Sequence, residues 1–138
     1  DCCEVIRSDL YLSYPFPVFE GERYVALAYV YRQIDQEYKL AVLDEVLCNV
    51  DYQPDGHGAG MWREYVRSPK GFAVWRKLCM QYPESKKRLF VDCVHYVSSS
   101  IISKNRAFLS ESPRKGWTLM AVPFGWLLTV YVKRIMKR

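Results

Sequence analysis

Two acidic side chains flank a glycine in the segment Phe16-Pro17-Val18-Phe19-Glu20-Gly21-Glu22-Arg23-Tyr24, and a polar run, Tyr52-Gln53-Pro54-Asp55-Gly56-His57-Gly58, follows further on. Carboxylates on a turn beside aromatic rings can have their proton affinities pushed apart, which suits general-base chemistry. Glu20 and Glu22 also make sense as plain N-terminal charge on a helix, because the helix dipole favours anions there. On spacing alone that is the simpler account. In the second run Gly56 can take positive φ in an Asp55-Gly56 turn. Small residues there would let backbone N–H groups approach a diphosphate. An ordinary strand-to-helix turn carrying a solvated His57 explains the same residues equally well.

The elements that must position these groups follow from pattern. Glu4 to Arg7 is β-prone, and Ser8 and Asp9 are placed to cap a short helical turn, Leu10 to Tyr14. Tyr14-Pro15-Phe16-Pro17 must be extended, since each proline disfavours helix in the residue before it. A helix is expected from Glu22 to about Gln36, with the two glutamates at its start. Lys39 to Leu43 and Val46 to Tyr52 are rich in Val and Leu and read as two short strands, or one bent strand pair. From Met61 onward the pattern is helical. Pro69 suits the first position of a helix with Phe72, Trp75 and Leu78 on one side, and Pro83 closes it. Phe90, Val94, Val97 and Ile101 predict a helix after Glu84 to about Lys104. Asn105 to Ser112 forms a short helix or turn, and Trp117 to Met136 is apolar until its basic end, interrupted at Pro123-Phe124-Gly125. The fold class expected is α/β, or α+β within this chain. Residues 1–60 would hold two or three short strands, the acidic helix and the Asp-Gly loop, and residues 61–138 a helical region.

The chain has 138 residues, half of them hydrophobic, a net charge of +5, five cysteines and two histidines. That length supports a real core and the composition argues against disorder. The start, Asp1-Cys2-Cys3, has neither a basic nor an apolar leader and suggests a piece cut from a longer chain. The cysteines lack C-x-x-C spacing, and His57 and His95 stand apart, so a structural zinc site is not expected. Free thiols in a reducing cytoplasm fit better, with Cys48, Cys79 and Cys93 as core filler. Basic clusters at Lys86-Lys87-Arg88, Arg114-Lys115 and Lys133-Arg134 would attract anions or simply form solvated helix faces.

Phe16-Pro17 with Gly21-Glu22-Arg23-Tyr24, followed by Tyr38-Lys39 and by Tyr52-Gln53-Pro54-Asp55-Gly56, resembles the C-terminal, acceptor-side half of family 2 glycosyltransferases of the GT-A fold. The likeness covers about residues 4 to 80 well and the helical tail loosely. It implies a partial GT-A sheet and an enzyme that moves a sugar from a nucleotide-diphospho-sugar to a hydroxyl of a glycan or lipid-linked acceptor. It assigns Glu22 as catalytic base and Glu20, Arg23, Tyr24, Tyr52, Asp55, Gly56 and His57 as pocket residues. Two departures stand out: Arg23 occupies the place of the Asp in the commoner Glu-Asp motif, and Gly58 replaces a hydroxyl residue. The base role therefore falls to Glu22, to Glu20, or to neither. The family's metal-binding Asp-x-Asp does not occur in this chain, so a divalent metal (Mg or Mn) is expected in the missing N-terminal half, and no cofactor here.

Other classes compete. A basic module binding anionic membrane or nucleic acid would use the interleaved aromatic and basic residues of 63–67 and 75–77, although no nucleic-acid signature is present and none is expected to bind. A pure scaffold would expose apolar surface in the tail. The tail, residues 117–138, falls short of the roughly 20 apolar residues needed to span a bilayer. Trp117, Trp126 and Tyr131 with a basic end suit a helix at a membrane interface, and equally one that packs into a core. The expected location is the cytoplasm, with peripheral contact to the inner face of the plasma membrane as an option.

Overall fold

The computed structural model describes residues 4–46, 48–49, 51 and 60–136. Their helices are α1 (Ser8–Leu12), α2 (Ala28–Ile34), α3 (Met61–Arg67), α4 (Pro69–Gln81), α5 (Lys86–Ile102), α6 (Phe108–Glu111) and α7 (Lys115–Ile135). Among the described residues there is no strand. The expected α/β class, with its partial GT-A sheet, is therefore corrected to an all-helical arrangement. Residues 39–46 show why. Leu40, Val42, Leu43 and Val46 are 69, 85, 67 and 85% exposed, on irregular backbone. A β-prone segment becomes a strand only when a neighbouring strand takes up its backbone groups, and none lies beside it among the described residues. Glu4 to Arg7, also β-prone, has no strand partner either.

The core is built on α5. On one side α4 runs antiparallel to it, so that Arg76 meets Asp92 and Met80 joins Leu89 in one apolar cluster. On the other side α7 runs parallel to it, with Cys93 opposite Thr118, Val97 opposite Gly125 and Ser98 opposite Thr129. Two parallel helices need a return connection, and residues 103–114 supply it. The Tyr96 hydroxyl donates to the Phe108 carbonyl at 2.8 Å, and Arg114 Nε donates to the Met80 carbonyl at 3.1 Å. α5 and α7 approach closely because the contact is made by small residues. A Cβ on Gly125 would lie 2.5 Å from Val97 Cγ1, and Ser98, Thr118 and Thr129 are buried at the same contact. Ser100 Oγ donates to the Tyr96 carbonyl at 2.7 Å within α5, and Thr129 Oγ1 donates to Ser98 Oγ at 3.0 Å across the two helices.

Helix boundaries follow local chemistry where the expectations held. Pro69 opens α4 and Ser85 caps α5, its hydroxyl accepting from Arg88 N at 3.1 Å. Two boundaries need correction. α7 continues through Pro123. The carbonyl that Pro123 leaves without a donor belongs to Leu119, and both residues lie on the exposed side, where water can satisfy it. The helix expected from Glu22 begins only at Ala28, for the reason given next. Cys79 and Cys93 are buried as expected, whereas Cys48 is exposed.

Candidate functional site

Phe19 to Glu22 forms a tight turn in which Glu22 N–H donates to the Phe19 carbonyl at 3.1 Å. Gly21 takes φ +77° at the third position, where a type II turn needs positive φ. Residues 22–26 then run without helix along the first turn of α4. Glu22 Oε1 accepts from Lys70 N at 3.0 Å and Oε2 from Gly71 N at 2.8 Å. The first N–H groups of a helix have no partner within it, and Ser68, the N-cap of α4, makes no cap bond to its own helix. Its hydroxyl instead accepts from Arg23 N at 3.3 Å. Glu22 thus caps α4 from outside, and Ser68 ties down the segment that carries Glu22. The acidic motif does sit at a helix mouth, as its charge suggests, but the helix is α4 and not its own.

Gly71 makes this docking possible. A Cβ there would fall on the Tyr24 carbonyl oxygen, far inside contact distance. One residue on, the Tyr24 ring stacks on Phe72 with centroids 4.8 Å apart and planes at 20°, and Phe72 meets Tyr65 edge-on at 4.9 Å. Burial pushes the Tyr24 hydroxyl pKa up, Arg76 opposing and Glu64 adding to the shift. So the structure brings Glu22 and Tyr24 together at the start of α4, with Arg23 and Glu20 exposed beside them. Tyr52, Asp55, Gly56 and His57 lie outside the described residues. A cleft of about 280 Å³ is lined by Arg7, Asp9, Leu10, Ser13 and Tyr38, none of them an expected site residue. There the Arg7 guanidinium pairs with Asp9, Nε to Oδ1 at 3.1 Å, and that hydrogen bond lowers the Asp9 pKa.

A buried polar group between α4 and α5 was not foreseen. Arg76 Nη1 lies 2.6 Å from Asp92 Oδ1, whose side chain is 1% exposed, and Arg88 Nε lies 3.6 Å from Oδ2. His95 is pushed down to about 4 by burial and by Arg76 and Arg88. Its Nδ1, together with Arg76 Nε and Ser99 Oγ, has no hydrogen-bond partner among the described residues. The Tyr65 hydroxyl donates to the His95 carbonyl at 3.1 Å. Burial, with Asp92 adding, raises the Cys79 thiol to about 11, which leaves no thiolate nucleophile at neutral pH. The available sequence signals were Arg88 and Asp92 at i,i+4 within one helix, Asp92 standing among Leu89, Phe90, Val91, Cys93 and Val94, and the run Ser68-Pro69-Lys70-Gly71, in which a cap, a proline and a glycine crowd one helix start.

Among the described residues no group of three or more His, Cys, Asp or Glu side chains lies together as a metal site. Comparison with protein-family models, with curated proteins and with solved structures found no match.

Proposed function

We propose that the chain forms the acceptor-side part of a family 2 glycosyltransferase, which moves a sugar from a nucleotide-diphospho-sugar to a hydroxyl of a glycan or lipid-linked acceptor. The observation that supports this most is the fixed setting of Glu20-Gly21-Glu22-Arg23-Tyr24, with Glu22 held by two backbone donors of α4 and partly buried. A carboxylate has about four lone-pair sites, and the two N–H groups occupy only some of them. Glu22 can therefore take a proton from an acceptor hydroxyl while its side chain is locked in one orientation, the positioning that general-base catalysis requires. As the acceptor oxygen bonds to the anomeric carbon, the bond from that carbon to the diphosphate breaks and the nucleoside diphosphate leaves. Glu20 and Arg23, exposed on the same turn, would face the acceptor, and Tyr24 would position the segment. Donor and divalent cation would be held by a part of the enzyme that this chain does not contain.

The test must separate base from cap, and two substitutions in an enzyme carrying both halves do so. Glu22→Gln keeps one oxygen to accept a backbone N–H but cannot take the proton. Ser68→Ala loosens the same joint and leaves the carboxylate intact. The proposal expects Glu22→Gln to abolish transfer with donor binding retained, while Ser68→Ala keeps most of its turnover. Equal turnover losses in the two variants, matched to equal losses in stability, would reduce Glu22 to a cap. Unchanged turnover in Glu22→Gln would remove it from the reaction, and Glu20→Gln then becomes the variant to assay.

A further inference from the structure

α7 is built inside out. Its face toward α5 carries Thr118, Ala121, Gly125, Thr129 and Val132, which are small or hydroxyl-bearing and buried. Its outer face carries Leu119, Met120, Phe124, Trp126, Leu127 and Tyr131, which are 60, 55, 52, 56, 56 and 56% exposed. At about 100° per residue these side chains fall within roughly 160° of arc, a continuous stripe with the width of a buried helix face. Single exposed apolar residues are ordinary, but a stripe of this size marks a surface that something covers.

The charges around the stripe say what covers it. Lys115 stands exposed at the start of α7, Lys133 and Arg134 at its end, and no acidic residue occurs between Lys115 and Ile135. A protein–protein interface surrounds its apolar centre with a polar rim that has no need of a single sign of charge. A stripe of Leu, Phe, Trp and Tyr bracketed at both ends by cations alone fits the headgroup region of an anionic bilayer. Among the described residues no helix is long and apolar enough to cross a membrane, so the helix would lie in the plane of the surface. We infer that α7 seats the chain on anionic phospholipid, its outer face sunk to the acyl boundary and its terminal cations Lys115, Lys133 and Arg134 on the headgroups. This stands apart from the catalytic proposal, since neither Glu22 nor the start of α4 takes part in it.

Co-sedimentation with vesicles of phosphatidylcholine alone and of phosphatidylcholine with 30% phosphatidylglycerol tests it. The intact chain should partition onto the anionic vesicles at least tenfold more strongly than onto the neutral ones. Trp126→Ser with Leu127→Ser should lower that partition at least tenfold, and Lys133→Gln with Arg134→Gln should lower it severalfold and flatten its salt dependence. All four residues are exposed, so an unchanged thermal melt is expected and shows that folding is not the cause. Absence of binding to anionic vesicles overturns the inference, as does binding that both variants retain. A chain that is dimeric in solution and becomes monomeric through Trp126→Ser with Leu127→Ser, without vesicle affinity, overturns it in favour of a second copy as the cover.

Discussion

Glu22 and Gly71 are matched across the joint between the N-terminal segment and α4: the carboxylate Oε2 accepts the Gly71 N–H at 2.8 Å, and the missing Gly71 side chain leaves room for the Tyr24 carbonyl. Each half of this match requires the other. A Cβ at position 71 would push Tyr24 away, carrying Glu22 with it and uncapping α4. Gly71→Ala should therefore destabilise the chain by about 2–4 kcal/mol despite alanine's better helix propensity. A chemical denaturation series checks this, and an alanine variant as stable as the parent would show that the segment does not dock in solution.

The cap has its own measurable part. Removing an N-terminal capping acceptor costs about 0.5–2 kcal/mol, and a charged acceptor at the positive end of a helix sits at the upper part of that range. Glu22→Ala should cost about 2 kcal/mol and Glu22→Gln about half of that. Ser68→Ala should cost about 1 kcal/mol. Because both act on one joint, the double variant Glu22→Ala with Ser68→Ala should lose less than the sum of the two, a coupling that a double-mutant cycle measures.

α5 ends in a way that offers a gain. Lys104 takes φ +59°, its N–H donates to the Ile101 carbonyl at 3.2 Å, and Asn105 N–H donates to the Ser100 carbonyl at 2.9 Å. These are the two bonds of a Schellman ending, in which the left-handed position is usually glycine. A lysine there pays for the close approach of Cβ to its own backbone. Lys104→Gly should stabilise the chain by about 0.5–1 kcal/mol, read as a rise in Tm of a few degrees.

What could be read in the chain beforehand depended on whether the deciding partner was local. Pro69 fixes the start of α4 by its own ring, and Phe90, Val94, Val97 and Ile101 repeat along α5, so both helices were legible. The helix expected from Glu22 failed because the groups that would begin it are engaged by α4, about 48 residues further on. The strand expected at 39–43 failed because a β-prone run carries no record of which strand, if any, lies beside it; the one expected at 46–52 lies partly outside the described residues. Pro123 reads as a break, yet the consequence of a mid-helix proline depends on which side of the helix its orphan carbonyl faces. The glutamate pair was legible as a helix-mouth motif, but the identity of the helix was not.

The ion pair between α4 and α5 should dominate the stability of that contact. Asp92 is 1% exposed and takes Arg76 on one oxygen at 2.6 Å and Arg88 on the other at 3.6 Å. Removing one member of a buried pair leaves the other charge without compensation, which costs about 3–5 kcal/mol. Asp92→Asn should reach that range, since it leaves Arg76 facing an amide. Arg76→Met with Asp92→Leu removes the two buried charges, leaves the half-exposed Arg88 to solvent, and should recover most of the loss. Melting curves for the three proteins test the order, and a double variant no better than the single one would show that packing, rather than charge, holds the contact.

His95 should make the fold acid-sensitive before most carboxylates titrate. Burial first, and then the positive charges of Arg76 and Arg88, bring its folded-state pKa to about 4, against an unfolded value of 6.5. The unfolded chain therefore binds a proton between these values that the folded chain does not. Stability is full above about pH 6.5, falls as the pH drops from 6.5 toward 4, and receives no further change from this group below that. At about 1.4 kcal/mol per pH unit the whole loss is on the order of 3 kcal/mol. Stability measured from pH 7.5 to 4.5 should decline steeply in the parent and much less in His95→Gln, which cannot be protonated. A decline of equal slope in the variant would show that His95 is not the source of the acid sensitivity.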